Sequence, residues 1–165
     1  MQSVLRPLPV LFSAVIASMA GCDAANVSQT VNGTTASLLR GRAAFVTDDS
    51  GDATAAWLGT HLVPKIYYGS SFKLNDDTLG KLVQLKKLKA LYIADEGVTD
   101  AGMEHVAAMR QLEVLDLRWS TVTDRGLERL EALSNLKVLR LANTQVTDAG
   151  IERFRRAVPN CDVRE

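Results

Sequence analysis

Few side chains in this sequence could do bond-making chemistry, and they are scattered. Two histidines, His61 and His105, and two cysteines, Cys22 and Cys161, stand far apart. A metal centre needs three or four such ligands at close spacing, so none is expected. Ser120 and Ser134 have no histidine at a matching position, and His105, on a repeat helix but outside its apolar stripe, is expected to face solvent, so nucleophile, base and orienter do not come together. No catalytic residue and no cofactor are expected. What remains is a set of recognition side chains: Tyr67, Tyr92, Asp116, Arg118, Trp119 and Arg140. Tyr, Trp and Arg are the types enriched at binding hot spots. Asp76, Asp100, Asp124 and Asp148 also recur at one constant interval. Calcium would need several oxygens converging on one point. Each Asp instead follows a Thr or Asn just before an apolar helical stripe, where Thr or Asp can accept backbone N–H groups. Local capping is the expectation for all four.

The elements that would position these residues come from an internal repeat. Val98-Thr99-Asp100-Ala101-Gly102-Met103 returns as Val122-Thr123-Asp124-Arg125-Gly126-Leu127 and as Val146-Thr147-Asp148-Ala149-Gly150-Ile151, at the same spacing each time. Leu74-Asn75-Asp76-Asp77-Thr78-Leu79 is an imperfect earlier copy. Leu91, Leu115 and Leu139 are in register, as are Ile93, Leu117 and Leu141. These pairs lie two apart, the period of a strand. Leu79, Leu82 and Leu85, then Met103, Val106 and Met109, then Leu127, Leu130 and Leu133 lie three apart, which makes a helical stripe. Each unit is therefore a short strand, a turn and a short helix. One unit cannot bury its stripe alone, but stacked units share a continuous core. The Gly two residues after each Asp is read as relief of a tight bend.

The pattern L-x-x-L-x-L followed by x-x-T-x-V-T-D-x-G-L resembles the leucine-rich repeat family. It is most similar to the subtype of F-box-type and bacterial repeat proteins, over residues 74–165. Leu136-x-x-Leu139-x-Leu141-x-x-Thr144-x-Val146 is the cleanest copy. The resemblance implies an α/β fold: a right-handed solenoid with parallel strands on its concave side and short helices on its convex side. At the family's usual Asn or Cys position stand Glu96, Ser120 and Thr144. Ser and Thr can still bond the turn backbone. At the last unit, Cys161 is expected to take a core place as a small hydrophobe.

Ahead of the repeats, residues 42–73 read as a degenerate N-terminal capping repeat. Strands are expected at Ala43–Val46 and Lys65–Tyr68, around a helix from Asp52 to Thr60. Residues 22–41 are small and polar and read as a flexible tether. Residues 1–21 read as an export signal: Arg6, then the uncharged run Pro7–Ala20. That run is too short to span a bilayer. It ends Ala20-Gly21-Cys22, which resembles a bacterial lipobox and implies lipid on Cys22 and a membrane-anchored envelope lipoprotein. Cleavage after Ala20, leaving a periplasmic or secreted chain, is the alternative. The 19 basic and 19 acidic side chains cancel, which argues against a nucleic-acid partner.

Strand alternation sorts the outward residues into columns. One holds Lys65, Ala90, Val114 and Val138; the next Tyr67, Tyr92, Asp116 and Arg140; the third Gly69, Ala94, Arg118 and Ala142. Trp119 follows at the lip. Asp116 and Arg140 on adjacent strands can simply pair, and Tyr67 with Tyr92 can form a packing ladder. Four strands at ~4.8 Å span about 20 Å. That strip is small beside the roughly 800 Å² per partner of a standard interface. A weak contact, a peptide or glycan, or a second copy of the chain would match its size. The expectation is a non-enzymatic binding module for a protein or peptide at the cell envelope. The alternative is a cell-wall or glycan-binding envelope lipoprotein.

Overall fold

The computed structural model describes residues 43–50, 52–58 and 74–165. The expected signal, tether, Cys22 and Tyr67, and the expected strand Lys65–Tyr68, lie outside the described residues.

The repeat unit folds as its two periods require. In chain order the elements are β1 (Ala43–Thr47), β2 (Ala53–Leu58), α1 (Asp76–Leu82), β3 (Ala90–Ile93), α2 (Gly102–Ala107), β4 (Val114–Asp116), α3 (Asp124–Arg129), β5 (Val138–Arg140), α4 (Asp148–Ala157) and β6 (Asp162–Arg164). A short 3-10 turn, Leu130–Ala132, prolongs α3. The strands form one open sheet in sequence order, β1 to β6. β1 pairs antiparallel with β2, and every later pair is parallel. Leu91 pairs with Leu115, Leu115 with Leu139, and Leu139 with Val163, so each aliphatic stacks on its counterpart in the next unit.

The helices cover one face of this sheet, and the core lies between. Leu79, Leu82, Met103, Val106, Met109, Leu127, Leu130 and Leu133 point in from the helical side; Leu91, Ile93, Leu115, Leu117, Leu139 and Leu141 meet them from the sheet. All are buried. Removing such a side chain from water stabilises by about 1.5–3 kcal/mol before entropy is counted. The backbone of each turn closes alike: Leu88 N donates to Leu85 O, Leu112 N to Met109 O and Leu136 N to Leu133 O at 3.0–3.1 Å. Cys161 N donates to Val158 O in the same way. Cys161 is a buried free thiol, in the core place expected for it. Burial, with the Asp162 charge behind it, pushes that thiol up to about 11, so it is protonated at neutral pH.

Three local expectations are corrected. Within the expected helix from Asp52 to Thr60, Ala53–Leu58 is instead strand β2, hairpinned to β1. Asp48 makes that turn: its Oδ1 accepts from Ser50 N at 2.9 Å and Asp52 N at 3.0 Å, the side-chain-to-backbone bonding that favours Asp in turns. Lys87 clamps the hairpin to the next unit through Asp48 at 3.1 Å and Asp52 at 2.7 Å. His105, expected to face solvent, is half-buried and lies over Gly80 of the preceding helix.

The third correction concerns the Thr-Asp-x-Gly element. Thr is a local cap: Thr123 Oγ1 accepts from Arg125 N and Thr147 Oγ1 from Gly150 N, both at 3.2 Å. Asp76, Asp100 and Asp124 are not. Each reaches into the following unit. Asp76 accepts from Thr99 N at 3.0 Å and Thr99 Oγ1 at 2.7 Å. Asp100 does the same with Thr123, and Asp124 with Thr147, at 2.8 and 2.7 Å. The glycine follows from this reach rather than from a tight bend. A Cβ on Gly102, Gly126 or Gly150 would land on the carboxylate of Asp76, Asp100 or Asp124 respectively.

Candidate recognition surface on the sheet

The sheet face turned away from the helices carries the candidate side chains. Register sets the main column: Trp57 pairs with Tyr92, Tyr92 with Asp116, Asp116 with Arg140, and Arg140 with Arg164. Tyr92, Asp116 and Arg140 thus stand where the alternation of the sequence puts them. At β2 the column holds Trp57, where Tyr67 was expected beside Tyr92, and β6 extends it with Arg164. Both were missed. The signal for Arg164 was present, since Val163 stands one repeat after Leu139 and carries its neighbours into register. Trp57 was hidden by its setting, Ala53-Thr54-Ala55-Ala56-Trp57-Leu58, where alanines blur the contrast between inward and outward positions.

Trp57 and Tyr92 are stacked, with ring centroids 4.8 Å apart and planes 2° from parallel. That separation equals the spacing of neighbouring strands. The rings therefore stand on edge and cover one face of each other, a contact worth about 0.5–1.5 kcal/mol beyond simple burial.

Next to them lies a charged cluster. The Asp116 side chain is fully buried, while those of Arg118 and Arg140 are 37% and 34% exposed. Asp116 Oδ1 accepts from Arg118 Nε at 2.9 Å and from Arg118 N at 3.2 Å. Its Oδ2 accepts from Arg118 Nη2 at 2.8 Å and Arg140 Nη1 at 3.3 Å. A buried carboxylate without such partners would be strongly destabilising. The same bonds raise the Arg118 pKa above its ordinary value. Arg164 is paired within its own strand, to Asp162 at 2.7 Å.

At the lip, Trp119 is 43% exposed, the one large hydrophobic side chain so open among the described residues. Its backbone is left-handed, with φ 66°, and Asn143 one unit later has φ 59°. Asn visits this region readily; for most other residues it costs about 1–2 kcal/mol. Trp119 N donates to Ala142 O at 3.2 Å and ties the lip to the next unit.

Beneath the lip the side chains at the family's Asn position differ. Thr144 Oγ1 donates to Leu141 O at 2.7 Å, as expected of a turn hydroxyl. Ser120 does not follow: its hydroxyl is buried with no hydrogen-bond partner. No group of three or more His, Cys, Asp or Glu residues able to hold a metal ion occurs among the described residues.

The Leucine Rich repeat model matches residues 109–130 and 132–154, two successive units of the stack. The fold is a leucine-rich-repeat solenoid. Its sheet is open, and the face just described is the strand side of the repeats. Similar solved structures include a leucine-rich-repeat protein of Leptospira interrogans, at 22% identity and TM-score 0.41, covering 52% of this chain and 21% of that one. Another is an internalin of Listeria monocytogenes, at 20% identity and TM-score 0.40, covering 56% of this chain and 32% of that one. The chain thus spans about a third or less of these proteins. No curated protein matches the sequence.

Proposed function

We propose that this chain is a non-catalytic recognition module that binds a protein or peptide across the strand side of its leucine-rich repeats. The supporting observation is the Trp57–Tyr92–Asp116–Arg140 column set by strand register, in which the hot-spot types Trp, Tyr and Arg flank the buried Asp116. Trp119 strengthens the reading. Its indole is 43% exposed at the lip, and Trp is among the residue types enriched at binding hot spots. The glycan alternative is weaker. A sugar ring stacks on a bare aromatic face, whereas Trp57 and Tyr92 each cover one face of the other.

The module is exported and held at the bacterial cell envelope by lipid on Cys22 in this reading. The support is the lipobox-like Ala20-Gly21-Cys22 ending of an apolar run. Cells fed an alkyne-tagged fatty acid should label the wild-type chain and not Cys22→Ala; label on both would remove the anchor.

The test of the recognition surface is a crosslinking pull-down from the native envelope with the full chain. The control is a Tyr92→Ala/Trp119→Ala variant of unchanged circular dichroism. A partner identified by mass spectrometry with the wild type and lost with the variant is the expected result. Equal capture by both would move the site to the helices or loops.

A further inference from the structure

Asp116 leaves part of each guanidinium that holds it unused. Arg118 turns Nε and Nη2 to the carboxylate, and Arg140 turns only Nη1 to it. Arg118 Nη1 and Arg140 Nε and Nη2 have no hydrogen-bond partner among the described residues. Both side chains are about a third exposed over an anion that is wholly buried. Two cations on one anion leave a positive charge at the mouth of the cluster. The buried carboxylate also fixes the forks in place, so little side-chain freedom remains to be lost on binding. A planar fork matches a carboxylate in two-point contact. A single uncompensated charge suits a monoanion better than a phosphate dianion. On the neighbouring strand, in register with Asp116, stands Tyr92 with Trp57 stacked against it, so charged and apolar subsites adjoin.

We propose that Arg118 and Arg140, held by Asp116, form a binding site for an acidic side chain of a peptide partner, with the Trp57–Tyr92 stack receiving the apolar residue beside it. This inference rests on the strand side being the recognition surface. Asp116 is a positioning residue here and the two arginines are the contacts.

The experiment uses the full chain on an array of amidated octapeptides. Three proteins are compared: wild type, Arg140→Gln, and the triple variant Asp116→Asn/Arg118→Gln/Arg140→Gln. Arg140→Gln keeps the two-point pairing of Arg118 with Asp116, and the triple variant leaves no orphan charge, so both should fold. The wild type should select peptides with Asp or Glu next to an aromatic or Leu. Arg140→Gln should weaken those peptides by about tenfold, the size expected for one charge-assisted contact. The triple variant should lose the acidic preference, and added salt should weaken wild-type binding in step. Selection of neutral peptides that is lost with Tyr92→Ala would keep the recognition reading and overturn the carboxylate site. So would an acidic preference that survives in the triple variant. Binding of polygalacturonate without any acidic peptide would transfer the site to acidic glycans and overturn the peptide partner. No selected ligand at all from the folded wild type would overturn both readings.

Discussion

A methyl group at Gly126 would displace the Asp100 carboxylate, and with it the bonds to Thr123 N, Thr123 Oγ1 and Gly126 N. Gly126→Ala should therefore destabilise by about 1–3 kcal/mol, the range for hydrogen bonds to a charged group, although Ala is ordinarily the better helix residue. The diagnostic is non-additivity. Asp100→Ala should be nearly as damaging, and the double variant little worse than either alone. Urea midpoints for the four proteins close this cycle, and simple addition would separate the glycine from the carboxylate. Ser120 predicts the opposite sign. Its hydroxyl is buried and unpartnered, so Ser120→Ala should leave the urea midpoint unchanged or raise it. A fall of more than about 1 kcal/mol would show a hidden partner for the hydroxyl.

The sequence disclosed these residues unevenly. Asp76, Asp100 and Asp124 were visible as a series, but their partners lie in the next turn of the solenoid. Only stacking brings those groups together, so local capping was the natural reading and was wrong for Asp. The Ser120 orphan was equally invisible, because Ser and Thr offer the same hydroxyl and differ in where the fold lets it point.

At the level of elements, Glu113 precedes β4 and joins three successive units. It accepts from Lys137 at 2.5 Å and from Lys89 at 2.9 Å. These two cations, Lys137 the stronger, hold its carboxyl down to about 2 from an ordinary 4.5. A lowered folded pKa means that the contribution is complete above the unfolded value. It fades as pH falls from about 4.5 to about 2. Asp124, lowered chiefly by its bonds from Thr147, acts with the same sign. An NMR titration of the Glu113 carboxyl should show its midpoint near 2 in the wild type and higher in Lys137→Met. An unshifted midpoint in that variant would assign the effect elsewhere. The strands themselves were the most readable part of the chain. Leu91, Leu115 and Leu139 were placed in register from spacing alone, and Tyr92, Asp116 and Arg140 followed. β2 escaped because alanine favours helix and carries little hydrophobic contrast. The strand was fixed instead by the Asp48 turn and by pairing with β3.

Across the whole molecule, each unit buries its stripe only against its neighbours, so damage at one level should be felt at others. Leu115 lies fully buried on the central strand β4, between Leu91 and Leu139. Leu115→Ala should cost about 2–5 kcal/mol. Hydrogen exchange should then show lost protection in β3 and β5 as well as β4. Loss confined to β4 would mean that the units open independently. The overall architecture was legible because a single repeat period runs through the stack. Where a unit departs from that period, as at the β1–β2 hairpin, the sequence carried no comparable marker.

The bonds between Asp76 and Thr99, Asp100 and Thr123, and Asp124 and Thr147 have a direction. Every such unit offers a carboxylate toward one end of the stack and a hydroxyl with its amide toward the other. A duplicated unit inserted in frame between two others would meet a matching group on both sides, with a glycine already in place to admit the carboxylate. Length is thus a heritable variable of this architecture, adjustable in whole turns by copying, and the breadth of the strand side grows with each copy while the joints stay the same.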